Sequence, residues 1–498
     1  MKLKLLRFIF IFFLILSSGY VSINAFIDIP SFDTGGSGDA RELELNVPYD
    51  ITLTYNNPVT FTTELSSSQK YYVIETWGNA DTKLVISGGI YSGTVITDLN
   101  SGVDNNAFIE FLSNGTSEDP ATISIVLSLE TNCEVKNTTI IVREEAASLY
   151  GFNFGLEGNT IPQTNKAYQV LSPYYRTTKY LNKRFEHLYE TDFRGLEIIN
   201  SEVLLIASHG TYYAPNMPGH GMLFMDETYL SLVDFVDVPC TRTKFAIFAG
   251  CGTAGYNGTN VNLADSAWGA GDADCTFGFT KSVAMVSVLR YMNKMFTKLG
   301  QAWTIAEATE YAAAHGFFWT DDAKHYKLYG DSSIRLVPTS TANSRSIIGI
   351  DNALYNEMLN RQLGLVFDNE EITGHYSGNC LTYNGYQTTD YYILKNDDQG
   401  NVVEIEHSGY YFNDTNVLPI LITSTPTPSI ATSGENQYLS IDEVETKIVY
   451  HTVSGVSIPL EFKTCIYSNP STLETFKVLY CTNLNTGEAF DIEDIMDC

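Results

Sequence analysis

The chain has 498 residues, with 58 acidic against 29 basic side chains and a formal net charge of −29. So acidic a chain is excluded from the nucleic-acid and anionic-membrane binders, which need a cationic face. Once an amino-terminal leader is set aside, about 473 residues remain, enough for roughly three domains.

The leader is read as residues 1–25. Lys2, Lys4 and Arg7 form a basic start, Leu5 to Leu16 form an apolar core, and Ala25 suits small-residue cleavage. That core is too short to span a bilayer. Cleavage would move the net charge to −32. A secreted protein without stable membrane insertion is expected.

Residues 26–146 read as an all-β sandwich. Tyr71–Thr76, Thr82–Ile86, Asn106–Leu112 and Thr122–Leu127 are short β-rich runs punctuated by Gly, Asn and Asp. An acidic loop, Asp98 to Asp104, offers oxygen ligands for Ca2+, although a solvated turn is its commoner meaning.

Residues 147–338 change character, and strand-like runs alternate with helical patterns. Val203–Ala207 leads into Ser208-His209-Gly210, and Phe245–Ala249 leads into Gly250-Cys251-Gly252. Each short apolar run reads as a buried parallel strand with a polar side chain at its carboxyl end. In open α/β sheets active sites form at that edge. An imidazole and a thiol delivered there can act as base and nucleophile. Cys275–Phe279 reads as the next strand. Helices are expected over 281–298, with Thr280 as N-cap, and over 304–314.

Residues 339–498 read as α+β. Ser440-Ile441-Asp442-Glu443 predicts a capping box opening a helix through His451. Asp398-Gln399-Gly400-Asn401 predicts a hairpin, and the pattern around Asn485-Thr486-Gly487 repeats it. A Ser/Thr/Pro-rich linker over 423–434 separates the two copies.

The eight cysteines contain no CxxC pair, which argues against zinc. Cys465 and Cys481 fall in neighbouring strand-like runs and are expected to form a disulfide. Sequons stand at Asn114, Asn137, Asn257 and Asn413, so a glycoprotein is expected if the host glycosylates.

Three resemblances follow from these residues. The order "ETWGNADTKLVI", "DLNSGVDNNAFIEF", "ATISIVL" resembles the pre-peptidase C-terminal domain. Helix-then-hairpin copies in 339–498 resemble PepSY-type modules. His209-Gly210, Gly250-Cys251, "GDADCTFGFT" at 271–280 and "LYGDSSIRL" at 328–336 together resemble the caspase-like cysteine peptidases, among them gingipains, clostripains and CHAT domains.

That last resemblance implies a multidomain protein. A central α/β caspase-like domain with a mostly parallel sheet would be flanked by the β-sandwich and the α+β region. It implies an exported cysteine endopeptidase acting on protein or peptide substrates through His209 and Cys251 and a thioester, without a cofactor or metal. Gly210 and Cys251 would supply oxyanion N–H groups. Ala249 stands where clostripain-like members carry an Asp that reads a basic P1 side chain. Asp265, Asp272 and Asp274 are therefore the candidate substrate-binding residues, unless they only cap turns. His220-Gly221 is a rival base, placed on a loop by Pro215 and Pro218. The alternative function is a non-catalytic surface or binding protein on the same fold. Residues 339–498 either restrain the site until cleavage near Pro338 or 423–434, or form a passive tail.

Overall fold

Alternating apolar and polar side chains build the first unit. The strands are β1 (Ser31–Phe32), β2 (Arg41–Glu42), β3 (Tyr49–Thr54), β4 (Val59–Glu64), β5 (Tyr71–Gly78), β6 (Thr82–Ser87), β7 (Ile96–Asp98), β8 (Phe108–Leu112), β9 (Thr122–Leu129) and β10 (Val135–Glu144). Every second residue of β6 and β9 is buried, as expected of strands with one face on a core. Two five-stranded sheets result, ordered β1-β3-β10-β5-β8 and β2-β4-β9-β6-β7. Phe61, Tyr72, Leu84, Ile125 and Ile140 fill the space between them.

This computed structural model describes residues 31–498 except 33–39, 67, 100–101, 103–105, 116–119, 131–134, 156–157, 193, 211–220, 256–261, 317–323, 340–350, 369–373, 427–439, 469–474, 493–494 and 496–498.

Only Glu145 separates β10 from β11 (Ala146–Gly151). The chain therefore passes from the sandwich into a second sheet without a loop. The second unit continues with α1 (Ile161–Leu171), β12 (Arg176–Leu181), β13 (Val203–Ala207), β14 (Gly221–Leu223), β15 (Tyr229–Ser231), α2 (Asp234–Asp237) and β16 (Phe245–Ala249). It ends with α3 (Leu263–Gly269), β17 (Cys275–Phe279), α4 (Met285–Leu299), α5 (Ile305–Ala314) and β18 (Tyr326–Gly330). The sheet order is β12-β11-β13-β16-β17-β18. Pairing is parallel from β12 through β17 and antiparallel at β18. Every residue of β11, β13, β16 and β17 is buried, so both faces of the sheet are covered. Helix α5 opens in a reciprocal cap: Glu307 N–H donates to Thr304 Oγ1, and the Glu307 carboxylate accepts from Thr304 N–H.

The third unit holds α6 (Asn352–Leu359), β19 (Leu363–Phe367), β20 (Tyr376–Tyr383), β21 (Tyr386–Asn396), β22 (Val402–His407), β23 (Ser440–Val453), β24 (Val456–Ser468) and β25 (Thr475–Asn483). They form a seven-stranded sheet, β19-β20-β21-β23-β24-β25, with β22 also on β21. One face packs against α4 and α5. Phe296, Ile305 and Tyr311 share a core with Tyr376, Tyr391, Leu460, Phe462 and Cys481. Arg290 is buried inside this junction, donating to the His315 carbonyl at 2.8 Å, to Tyr391 Oη at 2.9 Å and to the Ile495 carbonyl at 3.2 Å.

Several expectations are corrected. The protein is not organised around a central α/β caspase-like domain with a mostly parallel sheet. It is mostly β, 43% strand and 18% helix, with several mixed sheets and only six helices among the described residues. The physical reason lies in the flanking regions, where strands dominate. The clearest case is 440–451, expected as a helix, which lies within β23. Its Ile448, Val449, Tyr450, Thr452 and Val453 are β-branched or aromatic, and the antiparallel partner β24 outweighs a capping signature. The helix-then-hairpin repeat therefore fails at its second copy. The hairpin at 397–401 does form, between β21 and β22. Helix α4 starts at Met285, with Ala284 rather than Thr280 as N-cap.

Cys465 and Cys481 do sit on adjacent antiparallel strands, but not as a disulfide. Cys465 is opposite Val478, and Cys481 is opposite Phe462. An odd offset of three residues puts the thiols on opposite faces of the sheet, each buried and free. Cys133 and Cys498 lie outside the described residues.

Candidate active site

β13 and β16 are neighbours in parallel register, with Ala207 beside Ala249. The register continues past the strand ends, where Ser208 N–H donates to the Ala249 carbonyl at 3.3 Å. His209 and Cys251 therefore leave the sheet side by side at its carboxyl edge. A small recess, open to solvent, is lined by Ser208, His209, Ala249, Gly250, Cys251, Val283, Met285, Val288 and Lys477.

Close backbone approach explains the glycines. A Cβ on Gly210 would lie 2.1 Å from the Cys251 carbonyl oxygen and 2.7 Å from Cys251 N. A Cβ on Gly250 would lie 2.7 Å from the Ser208 carbonyl oxygen and 3.0 Å from Gly210 N. Only hydrogen side chains let these two turns touch. Gly252, at φ +65°, turns the chain away, and its N–H donates to the Lys281 carbonyl at 3.0 Å.

The thiol is held by the segment that follows β17. Cys251 Sγ lies 3.4 Å from both the amide nitrogen and the carbonyl oxygen of Val283, and the Ser282 hydroxyl is 3.6 Å away. The thiol donates to the Val283 carbonyl and accepts from the Val283 N–H and the Ser282 hydroxyl. The imidazole of His209 leans on the Phe154 ring, with centroids 4.9 Å apart. Behind it, Thr160 Oγ1 donates to the Ala207 carbonyl and accepts from Phe152 N–H, fixing the end of β13 to the start of α1.

The three acidic candidates are not in the recess. Asp272 and Asp274 precede β17, at the amino ends of the parallel strands and so at the far edge from Cys251. Burial raises the Asp274 carboxyl, aided by Glu110, Asp331 and Asp272 and opposed by Lys244. Its carbonyl accepts from Asp331 N–H, which extends the antiparallel β17–β18 ladder by one residue. Asp265 lies in the first turn of α3, where its N–H donates to the capping side chain of Asn262. There a carboxylate complements the helix dipole. Asp331 accepts from Ser333 in a local turn, in keeping with a capping role.

Residues missed in the sequence fall into two groups. Ser282, Val283 and Met285 follow the next parallel strand, and the carboxyl-edge rule alone would have found them. Lys477 arrives from β25, more than 200 residues downstream, and no local signal points to it.

The rival base His220 lies outside the described residues, as do Asn100, Ser101, Val103 and Asp104 of the acidic loop. Asp98 accepts from Phe108 N–H at 3.0 Å, a bond within the sandwich. Among the described residues no cluster of His, Cys, Asp or Glu has metal-holding geometry, and no helix is long and apolar enough to cross a membrane.

No protein-family model matches the chain, and no curated protein sequence does. Partial likeness to solved structures includes two examples. One is the pre-peptidase C-terminal domain of a collagenase from Bacillus anthracis, at 14% identity and TM-score 0.18, covering 22% of this chain and 97% of that one. The other is the insecticidal crystal protein Cry2Aa, at 9% identity and TM-score 0.13, covering 18% of this chain and 21% of that one.

Proposed function

We propose that this chain is an exported cysteine endopeptidase acting on proteins or peptides. The observation that carries the reading is the shared recess, which His209 and Cys251 both line from the ends of adjacent parallel strands.

In this reading the Cys251 thiol gives up its proton, which ends on His209, as Sγ attacks the scissile carbonyl carbon. The tetrahedral oxyanion is received by the N–H groups of Gly210 and Cys251, whose backbones touch. As the C–N bond breaks, His209 delivers a proton to the leaving amine, and a thioester to Cys251 remains. His209 then takes a proton from water, hydroxide adds to the thioester, the C–S bond breaks, and His209 returns the proton to Sγ as the acid product leaves. All groups named belong to the chain itself.

The burial of Cys251, only 6% exposed within a core cluster, favours the second reading, a non-catalytic extracellular binding protein. Labelling decides between them. The full chain is treated with thiol-directed peptidyl probes, and the labelled peptide is mapped. Modification of Cys251 that is blocked by prior unfolding supports the peptidase. Modification only after unfolding supports the binding protein.

A further inference from the structure

The backbone of His209 is pinned. Its carbonyl accepts from Leu223 N–H at 2.9 Å, and Gly210 is bridged to Met222. The imidazole still turns about two side-chain bonds. Strand register delivers the residue to the carboxyl edge of the sheet; it does not fix those torsions.

The connection between β11 and α1 supplies a stop. Phe154 is half-buried, and its ring lies against the imidazole with centroids 4.9 Å apart and planes tilted by 47°. Phe152, fully buried, stacks on Phe154 at 5.7 Å and meets Phe224 edge-on at 5.2 Å. The two arms of the connection are tied together. Phe154 N–H donates to the Gly158 carbonyl and Thr160 N–H to the Phe152 carbonyl, each at 2.8 Å. Asn153 N–H donates to Asn182 Oδ1, just past β12, at 2.8 Å. Gly155, at φ +68°, turns the chain directly after the ring. The returning arm touches the recess wall, since a Cβ on Gly158 would lie 2.7 Å from Met285 Cε. Phe154 is thus held by its own backbone and by a buried ring, and it presents a fixed surface to the imidazole.

We infer that Phe154 is a positioning residue for His209, and that its ring holds the imidazole in the rotamer that delivers a proton to the leaving amine. The inference rests on the peptidase reading. A general acid works only within hydrogen-bond reach of the nitrogen that it protonates. Misplacing it by about 1 Å costs on the order of 100-fold. A plain packing role for Phe154 would affect all substrates alike. The leaving group separates the two roles. An anilide nitrogen must gain a proton as its C–N bond breaks, whereas a nitrophenolate leaves without one. Transfer of the thiol proton and hydrolysis of the thioester are common to both.

The test uses the full chain and two peptidyl substrates with the same acyl group, a p-nitroanilide and a p-nitrophenyl ester. Phe154→Ala and Phe154→Leu are expected to lower kcat on the anilide by about 100-fold with KM within about twofold, at the thermal transition of the parent. On the ester, kcat/KM should fall by less than about 10-fold. Phe154→Tyr keeps the ring and should return the anilide kcat to within about threefold of the parent. Equal losses on anilide and ester overturn this inference and leave the peptidase reading standing. So does a Phe154→Leu chain as active as the parent, or a Phe154→Tyr chain as slow as Phe154→Ala. A parent chain that cleaves neither substrate and is not labelled at Cys251 removes the peptidase reading and this inference together.

Discussion

Arg143 of β10 and Glu202, the residue before β13, lie 2.8 Å apart with both side chains closed off from solvent. Arg143 also meets Glu75 at 2.8 Å. Glu202 meets Arg194 at 3.3 Å and accepts from Ala146 N–H at 2.6 Å. The sandwich and the second sheet are thus joined by a buried charge network that holds the first residue of β11. Removing one partner strands the others in a poorly solvating interior. Arg143→Ala is expected to cost about 3–5 kcal/mol, read as a lowered denaturant midpoint. A cost below about 1 kcal/mol would mean that water reaches the network.

For the proposed chemistry, Cys251→Ala is expected to lower kcat by roughly 10,000-fold or more, with the thermal transition of the parent retained. His209→Ala should come close to the same loss, and His220→Ala should not. Kinetics on a mixed peptide library separate the three. An inactive His220→Ala beside an active His209→Ala would reassign the base.

A chain ending at Pro338 loses the sheet that covers α4 and α5, along with the Tyr391 and Ile495 partners of buried Arg290. We expect it to aggregate or to lose cooperative unfolding, because a large apolar face becomes exposed. A monomeric, well-folded truncation with raised activity per molecule would instead support restraint by the tail.

Acid should loosen the C-terminal sheet first. Burial holds the His451 imidazole at about 4, against 6.5 unfolded. The neutral form is favoured in the fold, so this contribution is complete above pH 6.5 and is lost as pH falls from 6.5 towards 4. Its size is about 3 kcal/mol. Burial alone would raise the Glu406 carboxyl, but the hydrogen bond from His315 at 2.7 Å and the charges of His315 and Lys298 bring it to about 2. Its contribution is lost lower, between pH 4.5 and 2. Urea unfolding from pH 7 to 4 should show the first loss, and His451→Phe should flatten it.

Cys465 and Cys481 should each take one alkylating group when the protein is denatured without reductant. Recovery of either in a disulfide-linked peptide would contradict the register of β24 and β25.

The legible parts of this molecule were those with short-range causes. Period-2 alternation revealed the sandwich strands, the wholly apolar runs revealed β13 and β16, and Gly-flanked ends placed His209 and Cys251 at one edge. The Thr304/Glu307 cap was readable because its partners are three residues apart. What failed was set at long range. The motif at 440–443 looked like a helix start, but a 13-residue partner strand decided the outcome. Asp272 and Asp274 were pocket candidates because Ala249 stands where clostripain-like members carry the Asp that reads P1, yet a parallel strand separates its two ends by its whole length. Lys477 could not be assigned until β25 was seen to pack against α4.

The passage from β10 to β11 through Glu145 alone has a mechanical meaning. Tension along the chain at this junction acts along the axis of β11, which is bonded on both sides to parallel neighbours β12 and β13. Such a load strains many ladder bonds at once in shear, where a flexible tether would let the units swing or peel apart one bond at a time. If the sandwich were anchored to a cell wall or matrix, the mouth of the recess would keep a fixed bearing relative to that anchor under flow.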